Sequence, residues 1–120
     1  MENQISMIKQ INECALSSGF DCYTDLLMMD CDKIEVIYDS LQDINNWSIC
    51  NNAFNIEQLT QFIFMMQDSM PVSHFINPAY SDDVLRAVNY VLKEGAKLND
   101  ILNIDLTKDQ NVRKIRDLIR

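Results

Sequence analysis

Glycine and proline are scarce in this chain, with two of each among 120 residues. Two glycines cannot build the closely spaced phosphate-cradling turns of P-loop or dinucleotide-binding folds, so those routes to nucleotide binding are excluded. So few chain breakers also leave little room for the many tight turns of a sandwich or barrel. Histidine is scarcer still. His74 is the single one, and no GxSxG or catalytic-cysteine signature accompanies it, so a catalytic triad has nothing to assemble from.

The four cysteines, Cys14, Cys22, Cys31 and Cys50, are separated by seven, eight and eighteen residues. No CxxC pair exists, and nothing in the spacing favours a zinc site built from Cys22, Cys31, Cys50 and His74. They read as free, mostly buried thiols of a reducing compartment. Long apolar runs are missing as well. The longest, Phe62 to Met66, is far short of the roughly 20 residues that cross a bilayer. Glu2, Lys9 and Glu13 interrupt the first twenty residues, so no signal-peptide core stands there. These absences predict a soluble, cytoplasmic protein that binds no membrane, metal or cofactor.

What is present is enough apolar material for a core: 48% of residues are hydrophobic, in a length that suits one domain spanning 1–120. The apolar spacing is helical. Ile5, Ile8, Ile11 and Ala15 predict a helix over 3–17, with Gly19 placed to close it. Over 21–45, Leu27, Cys31, Ile34, Ile37, Tyr38, Leu41 and Ile44 cluster on one side at about 100° per residue, as one helix or as two broken near Asp30. The asparagine-rich stretch 45–55 reads as a loop around Trp47. Asn55 and Gln58 resemble a capping box opening a helix over 56–69, which is apolar nearly all round and so central.

Residues 70–80 hold both prolines and read as irregular. Ser81 caps a helix over 82–94, and Gly95 ends it. A turn near 99–104 precedes a last helix over 108–119, opened by a Thr107–Gln110 capping pattern. The expectation is an all-α domain, a compact bundle of about five helices around one core. The phrase VLKEGAKLND at 91–100 resembles the second helix and loop of an ankyrin repeat. A second copy and the TPLH-type opening are missing, so it assigns no family.

Charge is the informative feature. The net value is −8, but residues 1–106 balance to −11 and residues 107–120 to +3. Residues 21–43 hold seven acids against one base, Lys33. Asp21, Asp25, Asp32, Glu35, Asp39 and Asp43 fall on the side opposite the apolar cluster, forgoing the ion pairs that usually stabilise exposed helices. A calcium loop at Asp30–Glu35 is ruled out, because Ile34 and Glu35 occupy the fifth and sixth positions. Similar, solvated surroundings also argue against acid–base catalysis by these carboxylates.

These features predict a small, non-catalytic protein-binding module: an inhibitor, immunity protein, chaperone or adaptor that occludes or escorts a larger, basic-surfaced protein. Asp25, Asp32, Glu35, Asp39 and Asp43 would orient it, with Trp47, Phe75 and Tyr80 as apolar anchors. The basic end, Lys108, Arg113, Lys114, Arg116 and Arg120, would complement its helix dipole or reach the acidic face of a second copy, giving a homodimer. Nucleic acid is disfavoured as a partner by the charge of the rest. The rivals are a nucleic-acid mimic blocking a DNA-binding protein and a regulator using the basic helix. Heavy use of Asn, Ile, Asp and Met fits an AT-rich bacterial or viral source.

Overall fold

Side-chain hydrogen bonds between elements reveal how the chain is arranged in the computed structural model, which describes residues 2–119. Seven α-helices follow one another among them: α1 (Glu2–Ser17), α2 (Tyr23–Met28), α3 (Cys31–Tyr38), α4 (Ile56–Gln67), α5 (Asp82–Lys93), α6 (Leu98–Leu102) and α7 (Val112–Arg116). No strand occurs among the described residues. The fold is all-α.

The Cys31 thiol donates to Gln4 Oε1 at 3.5 Å and the Tyr38 hydroxyl to Gln10 Oε1 at 3.2 Å, so α1 and α3 run in the same direction. Lys33 Nζ meets Asn52 before α4, and Gln67 Nε2 donates to Asp43 at its far end, so α4 is parallel to α3. Gln58 Nε2 donates to the carbonyls of Pro78 and Tyr80, while Asn89 Nδ2 donates to Asp68, so α5 is parallel to α4. Four helices thus lie side by side in one direction, and each needs a return segment. Residues 18–30, 39–55 and 68–81 supply these returns.

Because α3 packs on α1, α4 on α3, α5 on α4 and α7 on α5, position along the chain becomes position along the molecule. The result measures 49 × 23 × 19 Å. Its radius of gyration, 15.1 Å, exceeds the roughly 13.6 Å of an average domain this long. One core nevertheless runs through it, with Ile11, Ile34, Ile37, Leu59, Phe62, Met65, Leu85, Val88 and Ile115 fully buried. Phe54 meets Phe62 edge-on at 5.0 Å.

Local chemistry sets the breaks. Gly19 (φ 80°) and Gly95 (φ 100°) adopt left-handed backbone just past α1 and α5. Phe20 N–H then reaches Ala15 O, and Ala96 N–H reaches Val91 O, closing both ends. Ser69 does the same after α4 at φ 59°, with Met70 N–H bonded to Met65 O. The Asn55–Gln58 capping box and the Ser81 cap form as expected. The break in 21–45 falls at Met29–Asp30, because Asp30 accepts Lys33 N–H as the cap of α3.

Several expectations are corrected, the first of them by that break. It turns α2 relative to α3, so Leu27 is 57% exposed and not inward. Cys31 is exposed at the start of α3, and Ile5 is exposed on α1. The turn expected near 99–104 contains helix α6. The Thr107–Gln110 box does not form: the Thr107 hydroxyl donates to Asp105 Oδ1 at 2.6 Å instead. The expected helix over 108–119 divides into α7 between two single 3-10 turns, Asp109–Asn111 and Asp117–Ile119.

Candidate protein-docking surface

The acidic residues of 21–43 divide by task. Asp21 accepts the Tyr23 N–H at 3.2 Å and Asp30 the Lys33 N–H at 3.0 Å, so both serve local turns. Asp25 is half-buried. Asp32, Glu35 and Asp39 are exposed. At 100° per residue they fall within about 60° of one another on α3. Asp43 lies in the following turn and accepts from Gln67 at 3.0 Å.

Among the described residues, none of these carboxylates is in an ion pair. Lys33 turns its ammonium to Asn52, 3.3 Å from its side-chain oxygen. The negative ridge is therefore not neutralised by any ion pair among the described residues.

The expected apolar anchors are placed differently. Trp47 is 8% exposed and Phe75 0%, both in the core, and Tyr80 is half-buried. Burial of Trp47 follows from the 3-10 turn Trp47–Ile49, capped by Asn46, which points the indole inward. Phe75 and Trp47 are thus corrected from partner contacts to core residues. The exposed large apolar side chains lie elsewhere: Ile5 and Leu16 on α1, Phe20 in the connection, Tyr23, Leu27 and Met28 on α2, Phe64 on α4, Tyr90 on α5 and Leu102 on α6.

The first six lie on α1, α2 and the connection between them. Cys22 N–H donates to Asn12 Oδ1 at 3.2 Å, which starts α2 beside the middle of α1, and Cys31 ends beside Gln4. On α1, Ile5, Asn12 and Leu16 fall within about 40° of one another, on the side that meets α2. On α2, Tyr23 and Leu27 share one side, about 160° round the helix from the half-buried Asp25. The single wheel drawn over 21–45 hid this exposure by placing Leu27 inside.

At the other end, Lys108, Arg113, Lys114 and Arg116 are exposed. Lys108 comes to 4.0 Å from Asp105; Arg113, Lys114 and Arg116 make no ion pair among the described residues. Arg120 lies outside the described residues.

Elsewhere, the buried Cys22 and Cys50 thiols adjoin. Their hydrogen bond holds Cys22 below the usual thiol range and, with burial, pushes Cys50 above it. His74 is exposed and stands edge-on to Phe75. No group of three or more His, Cys, Asp or Glu suited to a metal occurs among the described residues. A groove of about 460 Å³ runs between α4 and α5, lined by Phe64, Arg86, Asn89 and Tyr90 among others. Asn89, 6% exposed, donates to Asp68 Oδ2 at 3.1 Å, and its own carbonyl oxygen is buried without a partner. An unpaired buried acceptor costs about 1–3 kcal/mol. No helix among the described residues is long and apolar enough to cross a membrane. No protein-family model matches the chain, and neither curated proteins nor solved structures compared with it give a match.

Proposed function

We propose that this protein is a protein-binding module, docking on a basic partner surface through its N-terminal layer, α1–α3, and occluding or escorting that partner. One observation carries the reading. Six large apolar side chains stand exposed on α1, α2 and their connection, in a layer whose acids form no ion pair among the described residues. Exposed apolar surface loses contact with water only when something covers it, and patches of this kind mark interaction sites on soluble proteins.

The two components do different work. Asp32, Glu35 and Asp39 act at range, raising the encounter rate with a positive surface by about 10-fold to 10³-fold at low salt. Tyr23, Leu27 and Met28 act on contact. Tyrosine brings area at low entropic cost, and methionine adapts to an irregular surface.

The test uses partner captured by the full chain, with binding kinetics measured for two variants. L27D/M28D should bind at least about tenfold more weakly through faster dissociation. D32K/E35K/D39K should slow association and flatten its salt dependence. Unchanged binding by both variants, with native thermal unfolding, overturns the reading.

A further inference from the structure

The N-terminal layer and the α7 end differ in charge as well as position. Residues 1–43 hold nine acids and two bases, while residues 96–120 hold four acids and six bases. In a stack ordered α1, α3, α4, α5, α7 these segments occupy opposite ends of a 49 Å axis. The acidic end exposes Tyr23, Leu27 and Met28; the basic end exposes Arg113, Lys114 and Arg116, with Leu102 exposed on α6. Each end thus carries what the other lacks in charge, together with apolar surface to bury.

We propose that the α1–α2 end of one copy receives the α7 end of a second copy, head to tail. This pairing rests on the reading of the N-terminal layer as a docking surface and names a second copy of the chain as one occupant. In it, Arg113, Lys114 and Arg116 approach the exposed Glu13 and Asp21, while Leu27 and Met28 are covered. Charge decides the orientation. A two-fold dimer joined end to end would oppose acid to acid or base to base, and like charges brought together across an interface are costly. Of the end-to-end arrangements, only head-to-tail sets opposite signs against each other; an antiparallel side-by-side pair would also do so but would stop at two copies. The head-to-tail interface uses two different patches and leaves one of each unused in every pair, so association continues as concentration rises.

Sedimentation velocity on the full chain tests it. The wild-type average mass should rise with concentration at low salt and fall at high salt, because exposed charges more than about 10 Å apart are screened at 0.1 M. L27D/M28D disables the acidic end, and R113E/K114E/R116E disables the basic end. Each alone should remain monomeric. Their equimolar mixture should form a complex that stops at two copies, since one working end of each kind remains. Zero-length carbodiimide coupling of the wild type, expected to join Lys114 to Glu13 or Asp21, decides the matter should a variant fail to fold.

A wild-type chain that is monomeric throughout, variants that still associate, or a mixture that does not pair overturns the proposal. Those results leave the docking reading standing, because it is judged on binding of a different, basic protein by L27D/M28D.

Discussion

From Glu2 to Gln67 no ion pair joins described residues; all four lie at or beyond Asp68. Arg86 reaches Asp82 at 3.4 Å and Asp83 at 3.0 Å, Lys93 reaches Asp68 at 3.4 Å, and Lys108 comes to 4.0 Å from Asp105. In the N-terminal part, neutral amides bridge the elements instead. Gln4 and Gln10 join α1 to α3, Asn12 holds the start of α2, and Asn52 takes the Lys33 ammonium. The C-terminal part thus pairs opposite charges to hold its own helices, whereas in the N-terminal part Asp21, Asp30 and Asp43 accept from neutral N–H donors and Asp32, Glu35 and Asp39 are left for the surroundings.

Within the apolar residues the same contrast separates core from surface, and one pair of substitutions tests it with the largest expected effect. Phe75→Ala removes a ring with no solvent exposure and should cost about 3–5 kcal/mol of unfolding free energy. Leu27→Ala removes a mostly exposed side chain and should change stability by less than about 0.5 kcal/mol. Urea titration of both variants measures this. Similar losses would mean that Leu27 is packed, and the exposed apolar surface of α2 would disappear.

Much of the fold was legible because its signals are local. Three-to-four spacing marked α1, α4 and α5, and the Asn55–Gln58 box and the Ser81 cap marked two helix starts. Gly19 and Gly95 marked two ends. Asp32, Glu35 and Asp39 were recognisable as a ridge from spacing alone. The apolar half of the site was not. Periodicity reports a helix's faces relative to one another, so one wheel carried across Met29–Asp30 kept an α2 orientation that the break had changed. The loop residues Trp47 and Phe75 have no period to read, and single 3-10 turns beside each of them direct both inward. The parallel course of α1, α3, α4 and α5 depends on long-range contacts that no local pattern encodes.

Ser69 is another case of hidden geometry, and it gives the next prediction. Its φ of 59° closes α4 as Gly19 closes α1, but with a side chain that disfavours this backbone. Ser69→Gly should remove that strain while enlarging the unfolded ensemble, for a net gain of about 0.5–1 kcal/mol. A loss of stability would show that the serine side chain contributes something the backbone does not.

A smaller effect probes the acid ridge directly. Asp32 and Glu35 are three apart and Glu35 and Asp39 four apart on α3, so their repulsion costs a few tenths of a kcal/mol per pair. D32N/E35Q/D39N should therefore raise stability at low salt by about 0.5 kcal/mol, and added salt should erase the gain. A destabilised variant would show that these acids hold the fold together, removing the contrast with the C-terminal part.

The smallest effect concerns Asp68, where the C-terminal part uses its charge. The Asn89 amide, and secondarily the Lys93 ammonium, hold this carboxyl below its ordinary value of 3.8. A carboxylate that binds its proton more weakly when folded adds stability fully above that ordinary value, and the contribution is lost as pH falls through the lowered one. Asp68→Asn removes this titration. The wild type should lose slightly more thermal stability than D68N on acidification from neutral pH to the region below 3.8, with the difference confined to the acid end. The exposed setting keeps the effect small, since solvent screens such pairs. Superimposable curves would mean that Asn89 and Lys93 hold the protonated carboxyl as well as the carboxylate. The Asp68 bridge would then be packing, and the electrostatic contrast between the two parts would rest on Arg86 and Lys108 alone.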